Sequence, residues 1–233
     1  MNYLYLLLNL GSISIPFLFS FHPKLKFYKL WKPLLLGLVV SMCVFIPWDI
    51  IFTVKGYWGF NSSYLLGKNL FNLPIEEWLF FICIPYACVF THYALLYYFP
   101  NLKVSRKTTK TIGYFLIFIF TVLIVYNFNK WYTLVNFTLA VILIYLVLKW
   151  QPDLLSSYLL TFLIMLIPFF IVNGLLTGSF IEDEVVWYNN AENLNIRLFT
   201  IPIEDVVYAF SLILMNLLFI ENWKKRKTKH LQH

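Results

Sequence analysis

Seven long runs of apolar residues divide the chain, near positions 3–21, 33–54, 76–98, 112–128, 132–148, 154–174 and 203–221. A helix needs about 20 such residues to cross a bilayer, and runs this long with almost no charge are helical candidates for that task. Polar stretches separate the runs, the shortest being Asn127–Tyr132 between the fourth and fifth. The pattern predicts an all-α polytopic membrane protein with seven transmembrane helices. The N-terminus lacks a charged leader region and a small-residue cleavage site, so the first run reads as a retained helix.

Two of the polar intervals repeat. Ile46-Pro47-Trp48-Asp49-Ile50-Ile51-Phe52-Thr53 is followed by Trp58-Gly59-Phe60-Asn61 and by Leu73-Pro74-Ile75-Glu76-Glu77. Phe170-Ile171-Val172-Asn173-Gly174-Leu175-Leu176-Thr177 is followed by Trp187-Tyr188-Asn189-Asn190 and by Ile201-Pro202-Ile203-Glu204-Asp205. The shared skeleton is an Asp or Asn, a Thr four residues on, a loop Trp, and then Pro-Ile-Glu-Glu/Asp opening a helix. A three-helix unit directly repeated would come out inverted, and an unmatched fourth helix restores its direction. The sequence thus predicts a parallel duplication of helices 1–3 and 5–7 around a linker helix. The units are 1–110 and 132–233, with 111–131 between them.

Composition agrees with the pattern. Of the 233 residues, 61% are hydrophobic and only 12% charged, where soluble domains carry about 25% charge. This excludes a soluble globular domain and a disordered chain. The net charge of +7 suggests no nucleic-acid partner, because the basic residues sit between apolar runs. Lys24, Lys26, Lys29, Lys32, Lys103, Arg106, Lys107, Lys110, Lys149, Lys224, Lys225, Arg226, Lys227 and Lys229 fall on one side of a seven-span arrangement. Lys55, Lys68, Lys130 and Arg197 fall on the other. The positive-inside rule then places the protein in the cell membrane, N-terminus outside and C-terminus cytoplasmic. Nine of the 11 acids gather toward the outer side, with Asp153 and Glu221 the exceptions. Cys43, Cys83 and Cys88 lie in apolar runs and read as packing residues.

Acids at membrane depth are costly and tend to be functional. Glu76 and Glu204, alike in both repeats, are the first candidates for catalysis, followed by Asp49, Glu77 and Asp205. A Glu in a first helical turn also offsets the helix dipole, so a single copy would mean little. Glu77 and Asp205 point about 100° away from their neighbours on a helix, as partners, caps or a second acid. Trp48, Trp58, Trp187 and Tyr188 fit an interfacial aromatic belt, or faces that stabilise a cation. Asn173 and Thr177 are the polar positions of the second repeat. His92 lies far along the third helix and reads as a core histidine. No dinucleotide fingerprint, phosphate loop, His/Cys metal spacing or Asp-rich magnesium–diphosphate motif is present, and the seventh run has no Lys to carry a Schiff base.

Taken together, PIEEWLFF at 74–81, NGLLTG at 173–178, VVWYNN at 185–190 and IPIEDVVYAF at 201–210 resemble the membrane-embedded, flavin-independent lycopene cyclase domain family. That family occurs as bacterial two-subunit enzymes and in fungal fusions, and this chain is similar to two such subunits joined. The resemblance implies a lycopene β-cyclase: a redox-neutral isomerase that takes lycopene through γ-carotene to β-carotene without a cofactor or metal. It implies a carotenoid substrate within the lipid bilayer and contact with other enzymes of the carotenoid pathway. It also implies that Glu76, Glu204, Asp49, Glu77 and Asp205 supply an acid and a base. Trp48, Trp58, Asn173, Thr177, Trp187 and Tyr188 would bind substrate and shelter the cation. A proton-coupled transporter, a prenyltransferase-like membrane enzyme and a non-catalytic partner of a two-component enzyme are the competing readings of such a pattern.

Overall fold

The computed structural model describes residues 3–230, with side chains through Lys227. Residues 1–2 and 231–233, the outermost positions of the two expected units, lie outside the described residues, as does the Lys229 side chain. Seven α-helices follow the seven apolar runs: α1 Leu4–Phe19, α2 Trp31–Val54, α3 Ile75–Tyr98, α4 Arg106–Tyr126, α5 Trp131–Trp150, α6 Pro152–Leu176 and α7 Ile203–His230. From α2 onward they are long and apolar enough to cross a membrane. Helix α1 is shorter, 16 residues or about 24 Å.

Two helices outrun their apolar pattern. α4 begins at Arg106, six residues before the hydrophobic run, where Ser105 caps it by accepting from the Thr108 N–H at 3.1 Å. A Ser cap satisfies an otherwise orphaned donor, so the polar turn Arg106–Thr111 is held helical although hydropathy gives no sign of it. α7 continues past 221 through the basic Lys224–Lys227 segment.

Proline sets where α3 and α7 begin. Pro74 and Pro202 each end a short antiparallel hairpin, β2 Asn69–Leu70 with β3 Leu73–Pro74, and β5 Arg197–Leu198 with β6 Ile201–Pro202. Pro74 sits at φ −56°, ψ 145°, and helix starts with Ile75. The first hairpin turns through Phe71 and Asn72, both left-handed, as a two-residue turn between twisted strands requires. The two loops meet in a further ladder, β1 Trp58–Phe60 against β4 Val186–Tyr188, with Gly59 opposite Trp187 at its centre.

That ladder pairs repeat with repeat about a pseudo-twofold. Asn61 accepts from Ser63 N–H, and Asn189 from Ala191 N–H, in matching turns. The match makes Phe60 the counterpart of Tyr188 and Trp58 the counterpart of Val186. This corrects the sequence alignment of Trp58 with Trp187, which is shifted by one residue. Around the ladder α1 packs along α3, α5 along α7, and α2 along α7, with α4 lying outside against α5. One apolar core fills the far half of the bundle around Leu34, Val89, Ile144, Tyr158, Leu214 and Leu217. A second lies beside the ladder around Phe45, Trp48, Phe81 and Leu212.

Candidate active site

The site forms where α2 ends and α3 and α7 begin, under the interrepeat ladder. Asp49, Glu76, Glu77, Glu204 and Asp205 are all buried there. Asp49 on α2, Glu77 on α3 and Asp205 on α7 line one cavity of about 60 Å³. Four tyrosines join them: Tyr5, Tyr132, Tyr188 and Tyr208. Trp58, Phe60, Phe80 and Asn173 complete most of the wall.

Each cavity carboxylate has its own donors. Tyr5 donates its hydroxyl to Glu77 Oε2. Trp58 Nε1 donates to Asp49 Oδ1 at 2.8 Å, while Asp49 Oδ2 has no partner among the described residues. Asp205 is the most heavily held. Tyr132 donates to Oδ1 at 2.6 Å, and Tyr188 and Asn173 Nδ2 donate to Oδ2 at 3.0 and 3.1 Å. Tyr188 belongs to the loop outside the helices; burial, and then the Asp205 carboxylate, push its phenol well above 10. It therefore stays protonated and remains a donor.

Glu76 and Glu204 are placed otherwise. A one-residue step turns a helical side chain about 100°, and these two face the loops and not the cavity. Glu76 Oε1 accepts from Leu66 N–H at 2.5 Å, and Glu204 Oε1 accepts from Leu194 N–H at 2.7 Å and from Thr133 Oγ at 2.7 Å. They pin the loop before each hairpin to the first turn of α3 and α7, where the helix dipole favours a carboxylate. Their Oε2 atoms are buried without a partner among the described residues.

The other candidates divide in the same way. Trp58, Asn173 and Tyr188 line the cavity. Trp48 lies behind it, stacked on Tyr208 with ring centroids 5.5 Å apart. Thr177 bonds the Asn173 carbonyl at 2.8 Å and Thr200 Oγ at 2.7 Å, closing the end of α6. Trp187 is 39% exposed on the outer face of the ladder, its ring lying over Gly59. His92 shares a hydrogen bond of 2.8 Å with Thr161 in the far half of the bundle.

Tyr5, Tyr132, Tyr208, Phe60 and Phe80 were not singled out in the sequence. A signal existed for two of them. Tyr5 and Asn9 recur as Tyr132 and Asn136, one turn apart at the start of α1 and α5. Asn9 Nδ2 donates to the Glu76 carbonyl at 2.8 Å, and Asn136 Nδ2 to the Glu204 carbonyl at 2.6 Å. Each Tyr–Asn pair thus clamps the neighbouring acidic helix start. Among the described residues no group of three His, Cys, Asp or Glu is arranged to hold a metal ion.

The arrangement can give and take protons within a largely aromatic wall. Searches of curated proteins and of solved structures give no match. A protein-family model described as lycopene cyclase matches residues 2–95 and again 129–223, one match for each repeat. The chain belongs to the lycopene cyclase family, enzymes that cyclise lycopene in carotenoid biosynthesis.

Proposed function

We propose that the chain is a lycopene β-cyclase whose acid and base come from Asp49, Glu77 and Asp205. The observation that carries this reading is the cavity itself, where three carboxylates from three helices face four tyrosines. A carboxylic acid adds a proton to C2 of the terminal C1=C2 bond, leaving a tertiary cation at C1. The C5=C6 π-bond attacks C1, forming the ring bond and moving the cation to C5. A carboxylate then removes the C6 proton, which restores the C5=C6 double bond and gives a β-ring. Nothing is oxidised or reduced, and no leaving group departs.

Donor geometry suggests the division of labour. Asp49 Oδ2 accepts no bond among the described residues, so a proton there is transferable. Asp205, fixed by three donors, is suited to act as base and counter-ion. Glu77 relays protons between them through the shared cavity. Trp58, Tyr208 and Tyr188 present π-faces to the cation. Glu76 and Glu204 act as positioning residues, and Trp48, Thr177 and Trp187 support the wall from outside it.

We also read residues 1–110 and 132–233 as two cyclase units, joined through 111–131, most of which lies in α4. The protein sits in the cell membrane with its N-terminus outside and its C-terminus cytoplasmic, as the basic loops indicate. That places the carboxylates toward the outer face, within reach of lycopene in the bilayer and of other carotenoid enzymes. Expression in cells that accumulate lycopene, followed by chromatography of the pigments, tests the reading. Cyclic carotenes with β-rings are expected. Unchanged lycopene with the protein present in the membrane contradicts it.

A further inference from the structure

A second, larger cleft opens between α1, α3, α6 and α7, with a volume of about 640 Å³. That is within the range of small-molecule sites. Its wall is almost wholly apolar, formed by residues such as Leu8, Ile84, Ala87, Met165, Phe169 and Val172. Phe80 and Asn173 line both this cleft and the carboxylate cavity, and Asn173 also donates to Asp205. The cleft therefore ends at the acids. On α3 it extends from Phe80 to Thr91, about 16 Å at 1.5 Å per residue. This is roughly half of a ~30 Å hydrocarbon layer.

The pseudo-twofold relates this cleft to a second place, between α5, α7, α2 and α3, and that place is filled. Val172 and Phe80 on the cleft side correspond to Trp48 and Tyr208, whose rings stack at 10°. Phe169 corresponds to Phe45, which meets the Tyr208 ring edge-on at 5.0 Å. Met165 and Cys88 correspond to Ser41 and Asn216, joined by a hydrogen bond of 3.1 Å. Gly37 brings α2 so close to α7 that a Cβ there would lie 3.2 Å from Asn216 Oδ1. The duplication has kept the acid pair at both helix starts but has closed one of the two approaches to them.

We propose that the α1/α3/α6/α7 cleft is the single intramembrane route by which the linear polyene reaches the carboxylates. The proposal rests on the cyclase reading and extends it. The cavity, at about 60 Å³, is far smaller than the cleft of about 640 Å³, so the polyene chain lies in the cleft and its end group meets the acids past Phe80 and Asn173. One route per chain means one lycopene end per binding event. The remainder of the molecule extends along the cleft into the bilayer, and the half-cyclised product leaves before its second end is bound.

Gly11 provides the test, because it lines the cleft and a Cβ added there meets no atom within 4 Å. Lycopene conversion is measured per mole of purified, monodisperse protein reconstituted in vesicles. Gly11→Phe and Ala87→Phe are expected to lower the rate at least tenfold, while Gly11→Ala stays within twofold. Thr138→Phe, at the exposed position corresponding to Gly11 on α5, is expected to leave the rate unchanged. In excess lycopene, monocyclic carotene is expected to build up before any bicyclic product. An active wild type together with fully active Gly11→Phe and Ala87→Phe overturns the route, as does bicyclic product from the first turnover. A wild type that converts no lycopene overturns the cyclase reading itself, and the route with it.

Discussion

Asp205 carries more hydrogen bonds than the other cavity acids, and each bond is separately testable. Removing the Tyr132 hydroxyl leaves one buried Asp205 oxygen without its 2.6 Å donor, at a cost of about 1–3 kcal/mol for an unsatisfied buried group. Tyr132→Phe is expected to lower stability by that amount and to reduce turnover, because Asp205 loses a donor that fixes its orientation. Asp205→Asn is expected to reduce turnover much further, because the proposed base is lost with the bond. Steady-state conversion of lycopene in vesicles measures both. Glu204→Gln separates position from chemistry. Its Oε1 holds a loop N–H and a hydroxyl, and an amide oxygen can accept both. Glu204→Gln is therefore expected to retain most turnover, whereas Glu204→Ala loses stability along with activity.

Between elements, the strongest constraint is the contact of the two loops. A Cβ on Gly59 would lie 2.3 Å from the Trp187 ring, closer than any real contact, so Gly59→Ala must displace the indole from the ladder. We expect a lower thermal midpoint in detergent for Gly59→Ala. The double variant with Trp187→Ala is expected to restore much of it, since coupled neighbours are non-additive. The clamps at the helix starts make a matched pair. Asn9→Leu and Asn136→Leu each remove the side-chain hydrogen bond to a helix-start carbonyl, and both are expected to cost about 0.5–1.5 kcal/mol of stability, read from denaturation in mixed micelles. The helices themselves were legible, because uninterrupted apolar runs admit few other structures in a membrane. The polar first turn of α4 was not, since its cap acts through Ser105 and leaves no mark on hydropathy.

At the scale of the whole molecule, duplication explains both what the sequence revealed and what it concealed. Acids recurring at matched positions marked this end of the bundle. Which acid of each adjacent pair faces inward depends on the rotation of α3 and α7, and that is set by packing against α1 and α5. Neighbouring letters carry no record of it, so Glu77 and Asp205 could not be ranked above Glu76 and Glu204. The loop tryptophans looked equivalent because the alignment was linear, while the ladder pairs the repeats antiparallel about Gly59 and Trp187. The two halves have also diverged where they look most alike. Asp49 answers to Asn173, and Trp48 to Val172, which leaves one half richer in acid and the other open to the bilayer.

Cyclisation of lycopene at the cavity formed by Asp49, Glu77 and Asp205 is the proposal on which the other expectations depend. The most direct measurement is pigment composition in lycopene-accumulating cells carrying the wild type, Asp49→Asn, Glu77→Gln or Asp205→Asn at equal membrane levels. Cyclic carotenes with β-rings are expected from the wild type, and a loss of at least a hundredfold in each variant. Full activity in all three variants would contradict the proposal.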